Sequence, residues 1–131
     1  MSTSFSKGDS SKQSLESRAV YKVLVAEDDP FQRLSIIDIL KYSHFDVTPA
    51  ENGAQAIEKL MDENNSFDLV LLDLLMPEKS GKDVLDEIMQ NKRLSKLPVI
   101  MMSAKNDSNI ISECLKTGAK SFIIKPLRLQ E

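Results

Sequence analysis

The chain has 131 residues, enough for one compact domain with a tail, and an apolar fraction of 41% that can furnish a single core. Its 17 Lys and Arg against 20 Asp and Glu leave a net charge of −3, without the basic face or stripe of a nucleic-acid-binding module. No apolar run reaches bilayer-spanning length, so neither nucleic-acid nor membrane contact is expected.

Residues 1–18 are rich in serine (Ser2, Ser4, Ser6, Ser10, Ser11, Ser14, Ser17) and lack the apolar centre of a secretory signal. They read as a disordered linker tail ahead of a domain over residues 19–131, with a phosphorylated regulatory tail as the alternative. Cys114 is the only cysteine, which excludes an internal disulfide and favours a reducing compartment: the cytoplasm or, in a eukaryote, the nucleus.

From Tyr21 onward, short apolar runs alternate with amphipathic stretches. Tyr21 to Ala26 predicts the first strand. Pro30 suits the first position of a helix, Asp29 before it a cap, and Leu34, Ile37, Leu40 and Tyr42 recur at helical spacing until Ser43-His44. Phe45 to Ala50 is a weaker strand. Asn52-Gly53 predicts a turn, followed by a helix with Ala54, Ile57, Leu60 and Met61 on one face.

Asp68 to Asp73 is apolar at every interior position, as a strand covered on both faces requires. A loop through Pro77 and Gly81 leads to a helix carrying Val84, Leu85, Ile88 and Met89. Pro98 to Ser103 predicts the fourth strand, with Met101 and Met102 as packing residues. Ile110, Ile111, Cys114 and Leu115 predict the fourth helix, Gly118 its C-terminal cap and Ser121 to Ile124 the fifth strand. This alternation predicts an α/β fold, a doubly wound five-stranded parallel sheet with helices on both faces.

In such sheets ligands sit beyond the carboxyl ends of the strands, where strand order reverses. In a flavodoxin-like order, 2-1-3-4-5, the first and third strands are neighbours. Glu27, Asp28 and Asp29 then lie beside Asp73, with Ser103 and Lys125 ending the fourth and fifth strands. Two carboxylates about 4 Å apart repel by roughly 4 kcal/mol at an effective dielectric near 20. Such a cluster must bind a cation or protonate one member. Magnesium, a hard ion satisfied by oxygen ligands, suits it. A carboxylate can also attack phosphorus, and phosphoryl transfer needs mainly positioning and charge neutralisation.

Four segments together resemble the response-regulator receiver family: Val23 to Pro30 around Glu27-Asp28-Asp29, Leu71 to Gly81 around Asp73 and Met76-Pro77, Val99 to Ala104 around Ser103, and Gly118 to Pro126 around Phe122 and Lys125-Pro126. The resemblance runs from about Tyr21 to Pro126. It implies that Asp73 accepts a phosphoryl group from a phosphohistidine on a histidine kinase or histidine phosphotransfer protein, and that a partner-binding surface then switches toward a downstream effector. It implies that Mg2+ is held by Asp28, by Glu27 through water, by Asp73 and by the backbone carbonyl of Leu75. Ser103 and Lys125 would hold the phosphoryl oxygens. Ser103 and Phe122 would be the switch residues, although an aromatic in a strand serves equally as core packing. Leu75 and Lys105 would tune the phosphoryl lifetime, and because Leu75 cannot orient water, slow self-dephosphorylation is expected. The bond before Pro126 resembles a cis site of the family. No enzymatic turnover is implied beyond the domain's own phosphorylation and dephosphorylation.

Other readings compete. A pseudo-receiver would bind partners without phosphorylation, and the segment from Gly118 to Arg128 looks similar to eukaryotic receivers, including plant pseudo-receivers; such modules lose the acceptor or an acidic residue, whereas Asp73, Asp28 and Lys125 are present. A magnesium-dependent phosphatase with an aspartate nucleophile commonly has a second Asp where Leu75 stands. A dinucleotide-binding domain would need a Gly-x-Gly-x-x-Gly after the first strand. Taken singly, Asp73 could cap a turn, and Glu27-Asp28-Asp29 could be a solvated cluster. His44, with no partner at metal spacing, reads as a surface residue. Leu127 to Glu131 are too few for the family's fifth helix, so a truncated fifth helix, exposed apolar surface and either marginal stability or self-association are expected.

Overall fold

The computed structural model describes residues 20–127. The expected tail over residues 1–18 and the helix expected to start near Arg128 lie outside the described residues. Five parallel strands, β1 Lys22–Ala26, β2 Asp46–Ala50, β3 Leu69–Asp73, β4 Val99–Ser103 and β5 Ser121–Ile124, alternate with four helices. These are α1 Pro30–Tyr42, α2 Gly53–Met61, α3 Gly81–Gln90 and α4 Ser108–Thr117. Sheet order is β2-β1-β3-β4-β5, so the direction of winding reverses between β1 and β3.

Strand side chains alternate between two apolar clusters. On one face Leu24, Val70, Leu72 and Met101 meet Ala56 and Leu60 of α2, Leu85 and Ile88 of α3 and Cys114 of α4. On the other, Val23, Val25, Leu71 and Met102 pack against Ile36 and Leu40 of α1. Pro49, which cannot donate to a ladder, sits on the edge strand β2, where its missing N–H leaves no neighbour unpaired.

Three apolar faces differ from expectation. In α1 the buried residues are Ile36 and Leu40, whereas Leu34 is 58% and Tyr42 75% exposed. Apolar residues occur around the whole circumference of α1, so their spacing does not single out the side that meets the sheet. In α2 the buried side chain near the start is Ala56, not Ala54, because Asn52 caps the helix through Gln55 and Gly53 is already helical. In α4 only Cys114 is fully buried; Ile110 is 37% and Leu115 44% exposed. Helix α1 ends with His44 at φ 69°, where the N–H groups of His44 and Phe45 return to the carbonyls of Lys41 and Leu40. His44 is exposed. Gly118 caps α4 at φ 138°, a conformation open to glycine.

Candidate functional site

Beyond the carboxyl ends of β1, β3, β4 and β5 lies a cavity of about 260 Å³ lined by Glu27, Asp28, Asp29, Gln32, Asp73, Leu75, Ser103, Ala104 and Lys125. It stands at the winding reversal. Each acidic side chain arrives by a different device. Glu27 continues β1, its N–H held 3.1 Å from the carbonyl of Ala50. Arg33 reaches back from α1 and donates Nη1 to the carbonyls of Glu27 at 2.8 Å and Asp28 at 3.4 Å, fixing the acidic turn. Asp29 caps α1, accepting from the N–H groups of Phe31 and Gln32. Asp73 is the last residue of β3, and α3 starts directly above it.

That approach depends on Gly81. A Cβ there would fall 2.2 Å from the carbonyl oxygen of Asp73 and 2.8 Å from Cα of Leu74. The requirement is one of space between two backbones.

Glu27 is 1%, Ser103 3% and Asp73 4% exposed, while Asp28 is open to solvent. Lys125 Nζ bridges the two buried carboxylates, 2.9 Å from Glu27 Oε1 and 3.1 Å from Asp73 Oδ1. Even so, burial and then the charge of Glu27 outweigh Lys125 and push the Asp73 carboxyl up to about 6. Burial alone would lower the pKa of the Lys125 ammonium; its contacts with the Glu27 and Asp73 carboxylates overcome that and raise it. Glu27, Asp28 and Asp73 each offer a carboxylate oxygen, and these oxygens lie within 4.8 Å of one another. Three carboxylates thus face one ammonium. The surplus negative charge and the all-oxygen donor set fit a hard divalent cation.

Ser103 Oγ accepts the N–H of Lys105 at 3.1 Å, which orients the hydroxyl at the cavity wall. Lys105 is exposed and Leu75 is 63% exposed at the rim. Phe122 is half-buried against the larger core cluster and also lines a cavity of about 140 Å³ with Leu75, Ser103 and Lys105. The Lys125-Pro126 bond is cis. The expected residues Glu27, Asp28, Asp73, Leu75, Ser103 and Lys125 therefore share one cavity, with Phe122 and Lys105 in the adjoining one. Sequence reasoning missed Gln32 and Arg33, and placed Gly81 in the loop before the third helix without assigning it a role at Asp73. An Asp followed three residues later by Gln is an ordinary helix-start pattern, so Gln32 carried no separate signal.

Comparison with known proteins agrees with this geometry. The family model for the response regulator receiver domain matches residues 23–131. The chain is 40% identical over 110 residues to the two-component response regulator-like protein PRR37 of Oryza sativa subsp. indica, covering 84% of this chain and 15% of that protein. It is 38% identical over 106 residues to the two-component response regulator ORR11 of the same subspecies, covering 81% of this chain and 71% of that one. A solved CheX–CheY–BeF3–Mg2+ complex from Borrelia burgdorferi matches with a TM-score of 0.77 and 32% identity, over 84% of this chain and 81% of that chain. The sheet order, the acidic crevice at the winding reversal and these likenesses agree: the chain belongs to the response regulator receiver domain family.

Proposed function

We propose that this receiver domain accepts a phosphoryl group on Asp73 from a phosphohistidine of a histidine kinase or phosphotransfer protein, and passes the signal to an effector through a changed surface. The carrying observation is the buried Asp73 carboxylate, bridged by Lys125 to Glu27 and clustered with Asp28 at the winding reversal. In the reaction, one Asp73 carboxylate oxygen forms a bond to phosphorus as the phosphorus–nitrogen bond breaks. The departing imidazole keeps the electron pair and takes up a proton.

Glu27, Asp28, Asp73 and the Leu75 carbonyl would hold Mg2+, which when bound supplies positive charge against the carboxylates and phosphoryl oxygens. The likeness to the CheY of a BeF3- and Mg2+-containing complex supports that assignment. Lys125 neutralises charge from the opposite side, and the Ser103 hydroxyl can turn from the Lys105 N–H toward a phosphoryl oxygen. Phosphorylation adds roughly −1.5 to −2 charge, which biases the Ser103–Lys105 turn and, through the shared cavity, Phe122.

Incubation with acetyl phosphate, with and without Mg2+, of wild type and Asp73→Asn tests this by intact mass. The expected result is a Mg2+-dependent gain of one phosphoryl group, absent from the variant. A folded wild type that gains nothing overturns the reading and leaves phosphorylation-independent partner binding, the second reading favoured by the response regulator-like relatives.

A further inference from the structure

The Lys125 ammonium has a third partner. Its Nζ donates to Gln32 Oε1 at 2.5 Å and to Glu27 Oε1 at 2.9 Å, and pairs with Asp73 Oδ1 at 3.1 Å. An ammonium has three N–H donors and no acceptor; two of them go to Gln32 and Glu27, and Asp73 is held beside them as an ion pair.

Gln32 is oriented for this contact at the expense of a local one. It occupies the third position of α1, after the cap Asp29. In a capping box the side-chain oxygen of that residue accepts the cap's own N–H. Here the Asp29 N–H goes to Glu27 Oε2 at 3.2 Å, leaving Gln32 Oε1 for Lys125. The other end of the amide is fixed as well: Nε2 donates to Asp29 Oδ2 at 3.3 Å. Asp29 therefore sets the direction of the amide, and the amide presents its oxygen to the ammonium.

We propose that Gln32 is a positioning residue that holds Lys125 on the α1 side of the site and is the partner Lys125 gives up when a phosphoryl oxygen arrives. This rests on Asp73 being the phosphoryl acceptor. Of the three oxygen partners, Gln32 alone is neutral, so its hold is ion–dipole while the others are ion–ion. A phosphoryl oxygen is a charged acceptor and displaces the neutral one first. Gln32 thus restrains a lysine the reaction needs, and the restraint sits in the first turn of α1.

The test compares wild type, Gln32→Leu and Gln32→Glu in the full chain. Leucine removes the acceptor at a position that borders an adjoining cavity of about 270 Å³ lined by Ile36, Ala104 and Leu127 among others. Glutamate turns the hold into an ion pair. With acetyl phosphate and Mg2+, Gln32→Leu should be phosphorylated about three- to tenfold faster, the value of one hydrogen bond, and Gln32→Glu slower than wild type. In the unphosphorylated, metal-free protein, nitrogen-15 relaxation of the Lys125 ammonium should report freer rotation in Gln32→Leu. A merely structural role would shift both variants in one direction, and that result, or an unchanged ammonium signal in Gln32→Leu, overturns the proposal. If wild type accepts no phosphoryl group, the acceptor reading fails and the release step with it, whereas the ammonium signal still decides whether Gln32 holds Lys125.

Discussion

Lys125 Nζ lies 3.1 Å from Asp73 Oδ1, yet the Asp73 carboxyl is pushed up to about 6. One ammonium shared with Glu27 does not offset the burial of Asp73 beside another carboxylate. The folded protein thus binds the Asp73 proton more tightly than the unfolded chain, whose carboxyl titrates near 3.8. Stability falls as pH rises from about 4 to about 6, and above that the cost is about 3 kcal/mol, already net of Lys125. Without Mg2+, Asp73→Asn should therefore be more stable than wild type at pH 7.5 by about 1–3 kcal/mol, and the gain should vanish near pH 4. Urea melts at the two pH values check this. Equal stability at pH 7.5 would show that Asp73 carries no such cost.

Lys125→Met should act in the opposite direction. Methionine keeps the stem and removes the charge, leaving Glu27 and Asp73 buried side by side without a counter-ion. Removal of one partner from a buried ion pair costs about 3–5 kcal/mol. Lys125 holds its proton above its ordinary range, so its contribution is intact throughout neutral pH and is lost only as pH rises through that raised value. The metal-free variant should melt well below wild type, and Mg2+ should restore more stability to it than to wild type. Thermal melts with and without Mg2+ read both effects, and a variant as stable as wild type contradicts them.

The strands and the site's main residues were legible for a common reason. Strands covered on both faces are apolar throughout, so polar side chains stand out at their ends; Asp73 and Ser103 are such exceptions. What escaped depends on atoms that no side-chain pattern records. Arg33 acts on the carbonyls of Glu27 and Asp28, and Gly81 is needed because the backbone of Asp73 and Leu74 passes beneath it. Gln32 fits an ordinary helix start, and only the fold brings Lys125 to its oxygen. The inward face of α1 was illegible for the reverse reason: Phe31 and Leu34 are as apolar as Ile36 and Leu40 but are exposed.

Leu75 is expected to set the phosphoryl lifetime. It is 63% exposed and lines the acidic cavity two residues beyond Asp73, so an attacking water passes beside a side chain with no hydrogen-bonding group. An amide there could orient that water, and one hydrogen bond gained in the transition state accelerates hydrolysis about fivefold. Leu75→Asn should therefore lose its phosphoryl group several times faster than wild type, with little change in stability at so exposed a position. Decay followed by intact mass after removal of the donor measures this. Identical decay in the two proteins would remove Leu75 from control of the lifetime.

Gly81→Ala tests the seat of Asp73. The added Cβ would meet backbone atoms at 2.2 Å and 2.8 Å, and backbone cannot rotate away as a side chain can. Either α3 lifts, opening the cluster around Val84, Leu85 and Ile88, or the end of β3 is pushed down and Asp73 moves against Lys125. Overpacking of this kind costs about 1–3 kcal/mol, here at the upper end because both obstacles are main chain. The usual small gain from replacing a helical glycine by alanine does not offset it. Gly81→Ala should thus unfold at lower urea concentration and, at matched folded fraction, accept phosphoryl more slowly than wild type. A Gly53→Ala comparison separates loss of fold from loss of geometry. The Cβ there would also strike a carbonyl, that of Lys79 at 2.6 Å, but away from the residues that line the acidic cavity. Gly53→Ala should lose stability with less effect on phosphorylation per folded molecule, and equal losses in both variants would mean that Gly81 supports the fold without positioning Asp73.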